Sequence, residues 1–389
     1  MLKKPFRDLQ LSCLGMGNMR LPTLPDGKVD RETTRKMLEY AYAHGVNYYD
    51  TAYSYHGGES EPVVGEIMAQ YPRDTWYLAS KMPGHELNPN FNPPAIFEEQ
   101  LRRCKVDYFD FYLLHNVCEL SLPVYNNEKF RIVDYLLEQK KLGRIRYLGF
   151  STHANLENLR EFLDRHEGIF DFVQIQLNYL DWVMQQGKEK YELLTERGLP
   201  IIIMEPVRGG KLANLDEKAA AVLKGFRPDA SIASWAFRWL QQLPNVQVVL
   251  SGMTTPEQME DNVKTFSSEA PLSEEEQAAL AAIAADMLNL LPCTACRYCC
   301  KDCPQQFNIP DLLARYSEAK LGNANGVCMY IDSLPEDKQP KSCVQCGNCA
   351  RACPQGIDVP AILAEFTDIL SKMTHWDEIS RQRAKLHVG

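Results

Sequence analysis

At 389 residues the chain exceeds what one hydrophobic core usually organises, so a large domain with a smaller companion is expected. A hydrophobic fraction of 45% and a charged fraction of 24% exclude a disordered chain, and a formal net charge of -9 disfavours nucleic acid as a partner, because that affinity rests on clustered Lys and Arg. The opening MLKKPFRDLQ has no apolar stretch long enough for a signal peptide and no later stretch approaches a membrane span, which points to a cytoplasmic protein with no membrane partner.

A small hairpin is expected over residues 2–10, followed by a short strand over 11–15, LSCLG. Residues 33–44 have helical spacing, with Met37, Leu38 and Ala41 on one face, and Gly45 stops that helix before a strand at 46–50. The unit recurs, with helices over 61–69, 95–104, 129–142, 156–166, 188–197, 229–242 and 256–266. Apolar runs at 76–81, 109–115, 146–151, 172–177, 199–205 and 246–251 lie between them. Eight strands alternating with eight helices predict an α/β chain folded as a (β/α)8 TIM barrel. A doubly wound sheet also alternates, but no Gly-x-Gly-x-x-Gly follows the first strand and the repeat count suits closure. Residues 272–291 then read as one long helix, opened by a capping box of Ser273 and Glu276 and ended by Pro292. The expected division is a barrel over 1–270, a helical connector over 271–292 and a cysteine-rich domain over 293–389.

In a parallel barrel, active groups sit at the C-terminal ends of strands. Here the apolar runs end on or beside Asp50, Lys81, His115, Ser151, Glu205 and Ser251, and Tyr55 stands in the small, polar stretch TAYSYHGGES. Each alone has a bland reading, since a strand-end Asp often caps a helix, Lys is usually solvated and a single His is usually structural. Three consecutive strands ending in ionisable groups are harder to dismiss. A tyrosine hydroxyl titrates near ~10 and needs help to donate a proton at neutral pH. An ammonium beside it would lower that value, and a carboxylate would hold the ammonium in place. Tyr55, Lys81 and Asp50 can do this, leaving His115 to orient a carbonyl.

Carrying these residues in DTAYSY, LASK and FYLLH, the sequence resembles the aldo-keto reductase family, whose catalytic tetrad is Asp, Tyr, Lys and His. The resemblance covers residues 1 to about 266. It implies NADP or NAD across the barrel mouth, with hydride delivered to the carbon of an aldehyde or ketone, or taken from the alcohol, while Tyr55 handles the proton. By position, it implies that Ser151 in GFSTH and Gln174 in FVQIQLN hold the nicotinamide carboxamide, with Asn178 alongside as a candidate. The loop MEPVRGGKL resembles the pyrophosphate-contacting segment, which makes Pro206, Val207, Arg208, Gly209 and Lys211 candidates. SGMTTPEQMEDN resembles the adenosine-end segment, with Asn262 as the adenine partner. Gly252 and Gln258 stand where basic residues commonly grip a 2'-phosphate, so the choice between NADP and NAD stays open. Without the tetrad, a flexible Gly turn would account for MEPVRGGKL, and a satisfied polar group inside the barrel for Gln174.

Ten of the thirteen cysteines fall between Cys293 and Cys353, clustering that points to metal rather than disulfides in a chain with no secretion signal. Cys293, Cys296, Cys299 and Cys303-Pro304 give Cys-x-x-Cys-x-x-Cys-x-x-x-Cys-Pro, and Cys343, Cys346, Cys349 and Cys353-Pro354 repeat it. This is the run that holds two 4Fe-4S clusters, the fourth cysteine of each run reaching across to the other cluster. Cys353 then joins Cys293, Cys296 and Cys299, while Cys303 joins Cys343, Cys346 and Cys349. Zinc also takes four thiolates, but the doubled run with its trailing Pro favours clusters. The tail resembles a two-cluster ferredoxin module of the helix-rich, mainly α-helical kind, with a helical insert at 309–321. Cys300 and Cys328 are left over and read as small hydrophobes. Residues 359–372 look like an amphipathic closing helix, and 381–389 like a polar tail.

The leading expectation is a nicotinamide-dependent oxidoreductase acting on a small carbonyl or alcohol. Hydride moves two electrons together, whereas a cluster passes one at a time, and no flavin motif bridges them. The clusters therefore have three readings: a structural or docking module, a redox sensor, or a path to a redox partner protein. The rival from another class is an electron-transfer or redox-sensing iron-sulfur protein whose barrel binds nucleotide without turnover. Substrate choice would rest on loops such as 117–128, expected to overhang the mouth.

Overall fold

The computed structural model describes residues 1–84, 91–288 and 290–385. Strands Lys3–Phe6 (β1) and Leu9–Ser12 (β2) pair antiparallel around Arg7, whose φ of 54° makes the tight turn. Eight further strands follow: Leu14–Gly17 (β3), Tyr48–Asp50 (β4), Tyr77–Met82 (β5), Phe109–Val117 (β6), Ile145–Thr152 (β7), Phe172–Gln176 (β8), Ile201–Met204 (β9) and Val246–Ser251 (β10). They close in the order β10-β3-β4-β5-β6-β7-β8-β9, every pair parallel, as the eight apolar runs predicted.

The expected first barrel strand over 11–15 proves to be two elements. Residues 11 and 12 belong to the hairpin, and the chain bends at Cys13 before entering the barrel at Leu14. Both sides of that bend are buried, so apolar periodicity alone offered no break. The bend is fastened by Asn47, whose Oδ1 accepts from Ser12 N at 2.7 Å and whose backbone N donates to Ser12 Oγ at 3.0 Å.

Phe6, Leu9 and Leu11 of the hairpin join Tyr48, Ala79, Phe111, Leu113, Phe172, Ile202 and Val248 in one inner cluster. The Phe6 ring stands 5.3 Å from Phe111 and 5.0 Å from Tyr147, both edge-on. The barrel is therefore filled rather than hollow. Side chains two apart on a strand face the same side, so Tyr48, Ala79, Leu113 and Phe172 place Asp50, Lys81, His115 and Gln174 on the same face, toward the strands' C-terminal ends.

Helices Arg31–Ala43, Ser60–Met68, Pro93–Cys104, Ile132–Lys141, Leu156–Arg165, Gly187–Glu196, Ile232–Gln241 and Pro256–Phe266 follow the successive barrel strands. Several start on side-chain caps, among them Asp30, Asn92, Asn155 and Thr255, each accepting from a backbone N–H of the first turn. An additional helix, Glu217–Phe226, was not anticipated, although Ala219, Val222, Leu223 and Phe226 stand at helical spacing; of its residues only Leu223 is buried. The helix Glu274–Leu288 opens on the expected capping box, Ser273 N donating to Glu276 Oε2 at 2.8 Å and Glu276 N to Ser273 Oγ at 3.2 Å.

By internal contacts the chain divides into two units, the first holding 1–207 and 212–277, the second 208–211 and 278–379. The second unit is helical, with Ile309–Glu318, Ala324–Ser333 and Val359–Ser371 packing Leu312, Leu313, Tyr316, Val327, Ile331, Leu363 and Phe366 into its own core. The helix Ala324–Ser333 begins in ANG, which as sequence reads as a loop. Where a polar tail was expected from 381, the helix Trp376–Lys385 runs on; its composition has no apolar period to betray it, and residues 386–389 lie outside the described residues. No helix among the described residues is long and apolar enough to cross a membrane.

Candidate active site and cysteine cavities

Asp50, the last residue of β4, and Lys81 of β5 are both buried, and Lys81 Nζ donates to Asp50 Oδ1 at 2.6 Å and to Thr51 O at 2.7 Å. Burial works against the ammonium, but Asp50 and Tyr55 outweigh it and hold the Lys81 pKa above its ordinary value. Burial likewise lifts the Asp50 carboxyl, with Lys81 pulling it back. Lys81 Nζ lies 4.9 Å from the centroid of the Tyr55 ring, and that ring meets the His115 imidazole edge-on at 5.8 Å. The four residues singled out from separate segments are thus brought to one place.

Tyr55 is aimed by a tight turn, Tyr55–Gly58, in which His56, Gly57 and Gly58 take φ of 52°, 63° and 94°. His56 fastens it by accepting from Leu21 N on Nε2 at 3.0 Å, a role that the loop-like HGG gave no reason to expect.

Two supports under the tetrad escaped the sequence. Buried Glu61 accepts from Ser80 Oγ and from Gln100 Nε2, each at 2.6 Å, and Gln100 Nε2 also donates to Lys81 O at 3.1 Å, so the Lys81 strand is gripped beside its own side chain. Burial raises the Glu61 pKa, opposed by those two hydrogen bonds and by Arg103. Tyr125, in the short helix Leu122–Tyr125 within the 117–128 loop, donates toward His115 O at 2.6 Å and Met82 O at 3.0 Å, and accepts from Gly84 N at 3.0 Å. Glu61 stands between Ser60 and Pro62 at the start of its helix, and Tyr125 in a loop, so neither left a signal of its burial in the sequence.

The residues expected at the cofactor have distinct surroundings. Ser151 Oγ accepts from Asn116 N at 2.8 Å, and Asn116 takes φ 57° to present it. Gln174 Nε2 touches Met204 Sδ at 3.6 Å, while Gln174 Oε1 and Asn116 Oδ1 are buried with no hydrogen-bond partner among the described residues. Asn178 braces its own loop, donating to Asp181 Oδ2 at 2.6 Å and Glu205 O at 3.0 Å. Asn262 donates to Ser251 Oγ at 2.9 Å, joining its helix to the end of β10. Pro206 and Val207 follow Glu205, which takes φ 54°, and Gly209 and Gly210 take 61° and 96°. Arg208 and Lys211 fall in the second unit. Arg208 is buried there, with Nε donating to Leu321 O at 3.0 Å; burial pulls its pKa down to about 10, with Glu318 opposing. At least two of its donors thus meet protein carbonyls, the second being Glu318 O at 3.4 Å.

In the second unit the cysteines sort into two cavities. One is lined by Cys293, Cys296, Cys299 and Cys353, and the other by Cys303, Cys343, Cys346 and Cys349. Each set takes three cysteines from one run and the last from the other. Pro310, Leu313, Ile357 and Val359 wall the first, and Phe307, Ile309, Pro360 and Leu363 the second, an apolar surround of the kind that limits solvent access to a metal group.

Comparison with known proteins bears on the family and the fold. The model of the aldo/keto reductase family matches residues 13–285, and that of a 4Fe-4S dicluster domain matches residues 292–357. The chain is 27% identical over 305 residues to an NADH-specific methylglyoxal reductase of Escherichia coli, covering 67% of this chain and 91% of that one. It is 32% identical over 257 residues to an aldo-keto reductase of a Mycobacterium species, covering 65% and 84%. Among solved structures, the holo form of an aldo-keto reductase from Bacillus halodurans superposes with a TM-score of 0.59 at 25% identity, covering 73% of this chain and 96% of that one.

Proposed function

The chain belongs to the aldo/keto reductase family of oxidoreductases, and on that premise we propose that it reduces an aldehyde or ketone, or oxidises the alcohol, with a nicotinamide cofactor, through Asp50, Tyr55, Lys81 and His115. The observation that carries this reading is the buried Lys81 ammonium, 2.6 Å from Asp50 and 4.9 Å from the Tyr55 ring.

Tyr55 gives its hydroxyl proton to the carbonyl oxygen as negative charge develops there. Lys81, kept charged by Asp50, steadies the phenolate that remains. His115 orients the carbonyl toward Tyr55. In the reverse direction the Tyr55 phenolate takes the alcohol proton. The bound nicotinamide supplies the hydride. Its carboxamide fits the buried, unpartnered Gln174 Oε1, with Asn116 Oδ1 and the Ser151 hydroxyl as further candidates. Asn178, Pro206, Val207 and Asn262 remain candidates for the rest of the cofactor. NADH is the better-supported donor: Gly252 and Gln258 offer no charge to a 2'-phosphate, Gln258 Oε1 accepts from Thr254 N at 2.8 Å, and Arg20, lying over Gly252, faces Glu205 at 3.8 Å.

We assign one 4Fe-4S cluster to Cys293, Cys296, Cys299 and Cys353, and a second to Cys303, Cys343, Cys346 and Cys349, on the fit of four thiols to each cavity. Such clusters pass single electrons. The cysteines are continuous with the core of the second unit, which supports a part in holding its fold. The assignment gives a barrel domain over 1–270, a connector over 271–292 and a cluster domain over 293–389, and a reducing, cytoplasmic setting suits the thiols.

Tyr55→Phe should abolish reduction, by roughly 100-fold or more for a lost general acid, while cofactor binding followed by NADH fluorescence stays unchanged. Retained turnover would sink the role of Tyr55. A panel of aldehydes including methylglyoxal tests the reading as a whole. If anaerobically purified protein consumes neither NADH nor NADPH with any of them, the chain is the electron-transfer or sensing protein instead.

A further inference from the structure

Cys328 and Asp332 lie one turn apart on the helix Ala324–Ser333, so they share a face. His375, in the link between Val359–Ser371 and Trp376–Lys385, comes to the same face. His375 Nδ1 stands 2.9 Å from Asp332 Oδ1 and 3.7 Å from Cys328 Sγ, and Cys328 Sγ stands 3.9 Å from Asp332 Oδ2. All three ligand atoms lie within 4.8 Å of one another. None of these residues belongs to the cysteine runs or to the tetrad.

The arrangement distinguishes between two kinds of chemistry. In a nucleophilic Cys-His-Asp relay the imidazole uses one nitrogen toward the sulfur and the other toward the carboxylate. Here the same nitrogen, Nδ1, faces both. Three donors thus converge on one point. Tetrahedral coordination with a metal–sulfur bond of ~2.3 Å and metal–nitrogen or metal–oxygen bonds of ~2.1 Å separates neighbouring ligand atoms by roughly 3.4–3.6 Å. The His375–Cys328 distance matches this within a few tenths of an ångström, and Asp332, which faces His375 through Oδ1 and Cys328 through Oδ2, need turn only one of these oxygens toward the shared point.

We propose that Cys328, Asp332 and His375 bind a divalent cation of borderline softness, zinc by preference, with water as fourth ligand. Sulfur, imidazole and carboxylate together are a zinc donor set, whereas magnesium and calcium take oxygen alone. The Cys328 thiol proton passes to solvent as the sulfur–metal bond forms. Asp332 is aimed by the Trp376 backbone N–H, which donates to Oδ2 at 2.8 Å. Cys328 is buried, while the His375 side chain is 45% exposed, which leaves a way in from solvent. The ion ties the helix Ala324–Ser333 to the chain entering the last helix, a structural clip on the second unit rather than a redox group.

The test uses the whole chain, purified anaerobically with its iron and equilibrated with micromolar free zinc. Metal analysis should find one zinc per chain with iron unchanged, and Cys328→Ser and His375→Ala should each weaken zinc binding more than ~10-fold. Cobalt in place of zinc should give a high-spin EPR signal, readable because oxidised 4Fe-4S clusters are EPR-silent, and both variants should lose it. His375→Ala, at a half-exposed position, keeps the test decisive if Cys328→Ser does not fold. No zinc retained by the parent chain, equal retention by parent and His375→Ala, or uptake only as iron is lost, each overturns the proposal.

Discussion

Lys81 is the residue on which the proposed chemistry turns, and its burial makes it testable by stability as well as by rate. Its ammonium is hidden with a carboxylate 2.6 Å away, so removing either partner strands a charge away from water. Lys81→Met should cost about 3–5 kcal/mol in urea unfolding, the usual penalty of breaking a buried pair. The double variant Asp50→Asn, Lys81→Met removes both charges and should recover much of that loss while remaining inactive. The sign with pH follows from the raised Lys81 pKa: the stabilisation is complete below the unfolded lysine value of ~10.5 and is lost as pH climbs through the folded one. A single variant as stable as the parent at neutral pH, or a double variant no better than the single, would show that the pair is not what holds this end of the barrel.

Tyr125 shows what an element adds to a residue. The short helix Leu122–Tyr125 carries its hydroxyl onto the ends of β5 and β6 together, reaching Met82 O, Gly84 N and His115 O. Gly84 is needed for the approach, since a Cβ there would stand 2.0 Å from the Tyr125 ring. Tyr125→Phe should cost about 1–3 kcal/mol for the buried groups it leaves unpaired. By loosening His115 it should lower kcat/KM roughly tenfold without abolishing turnover, since small misplacements of a positioned group are costly. Thermal unfolding and steady-state kinetics check both; no change in either refutes the anchoring role. The strands themselves were legible because parallel, doubly covered strands are continuous apolar runs, and Asp50, Lys81 and His115 stood at or near their ends. Tyr125 and His56 were not, because their roles depend on which distant backbone groups the fold brings near and leave no period in the sequence.

At the scale of the whole chain, sequence spacing carried both the eightfold repeat and the doubled cysteine run, since each is a local pattern written twice or more. The run also implies the crossed pairing, because its fourth cysteine reaches the other cluster. That Cys353 faces Cys293, Cys296 and Cys299 follows from how the helices of the second unit pack, and the cavities put the last cysteine of each run with the first three of the other. The crossed assignment makes a prediction that a local one cannot. With both clusters reduced, their EPR signals can be told apart by variants in the first three cysteines of each run, Cys296→Ser erasing one signal and Cys346→Ser the other. Cys353→Ser should then erase the signal lost in Cys296→Ser, and Cys303→Ser the one lost in Cys346→Ser, with iron falling by about half in each. If Cys353→Ser instead behaves as Cys346→Ser does, each run holds its own cluster, the crossed pairing is wrong, and the two halves of the second unit are not tied together by their irons.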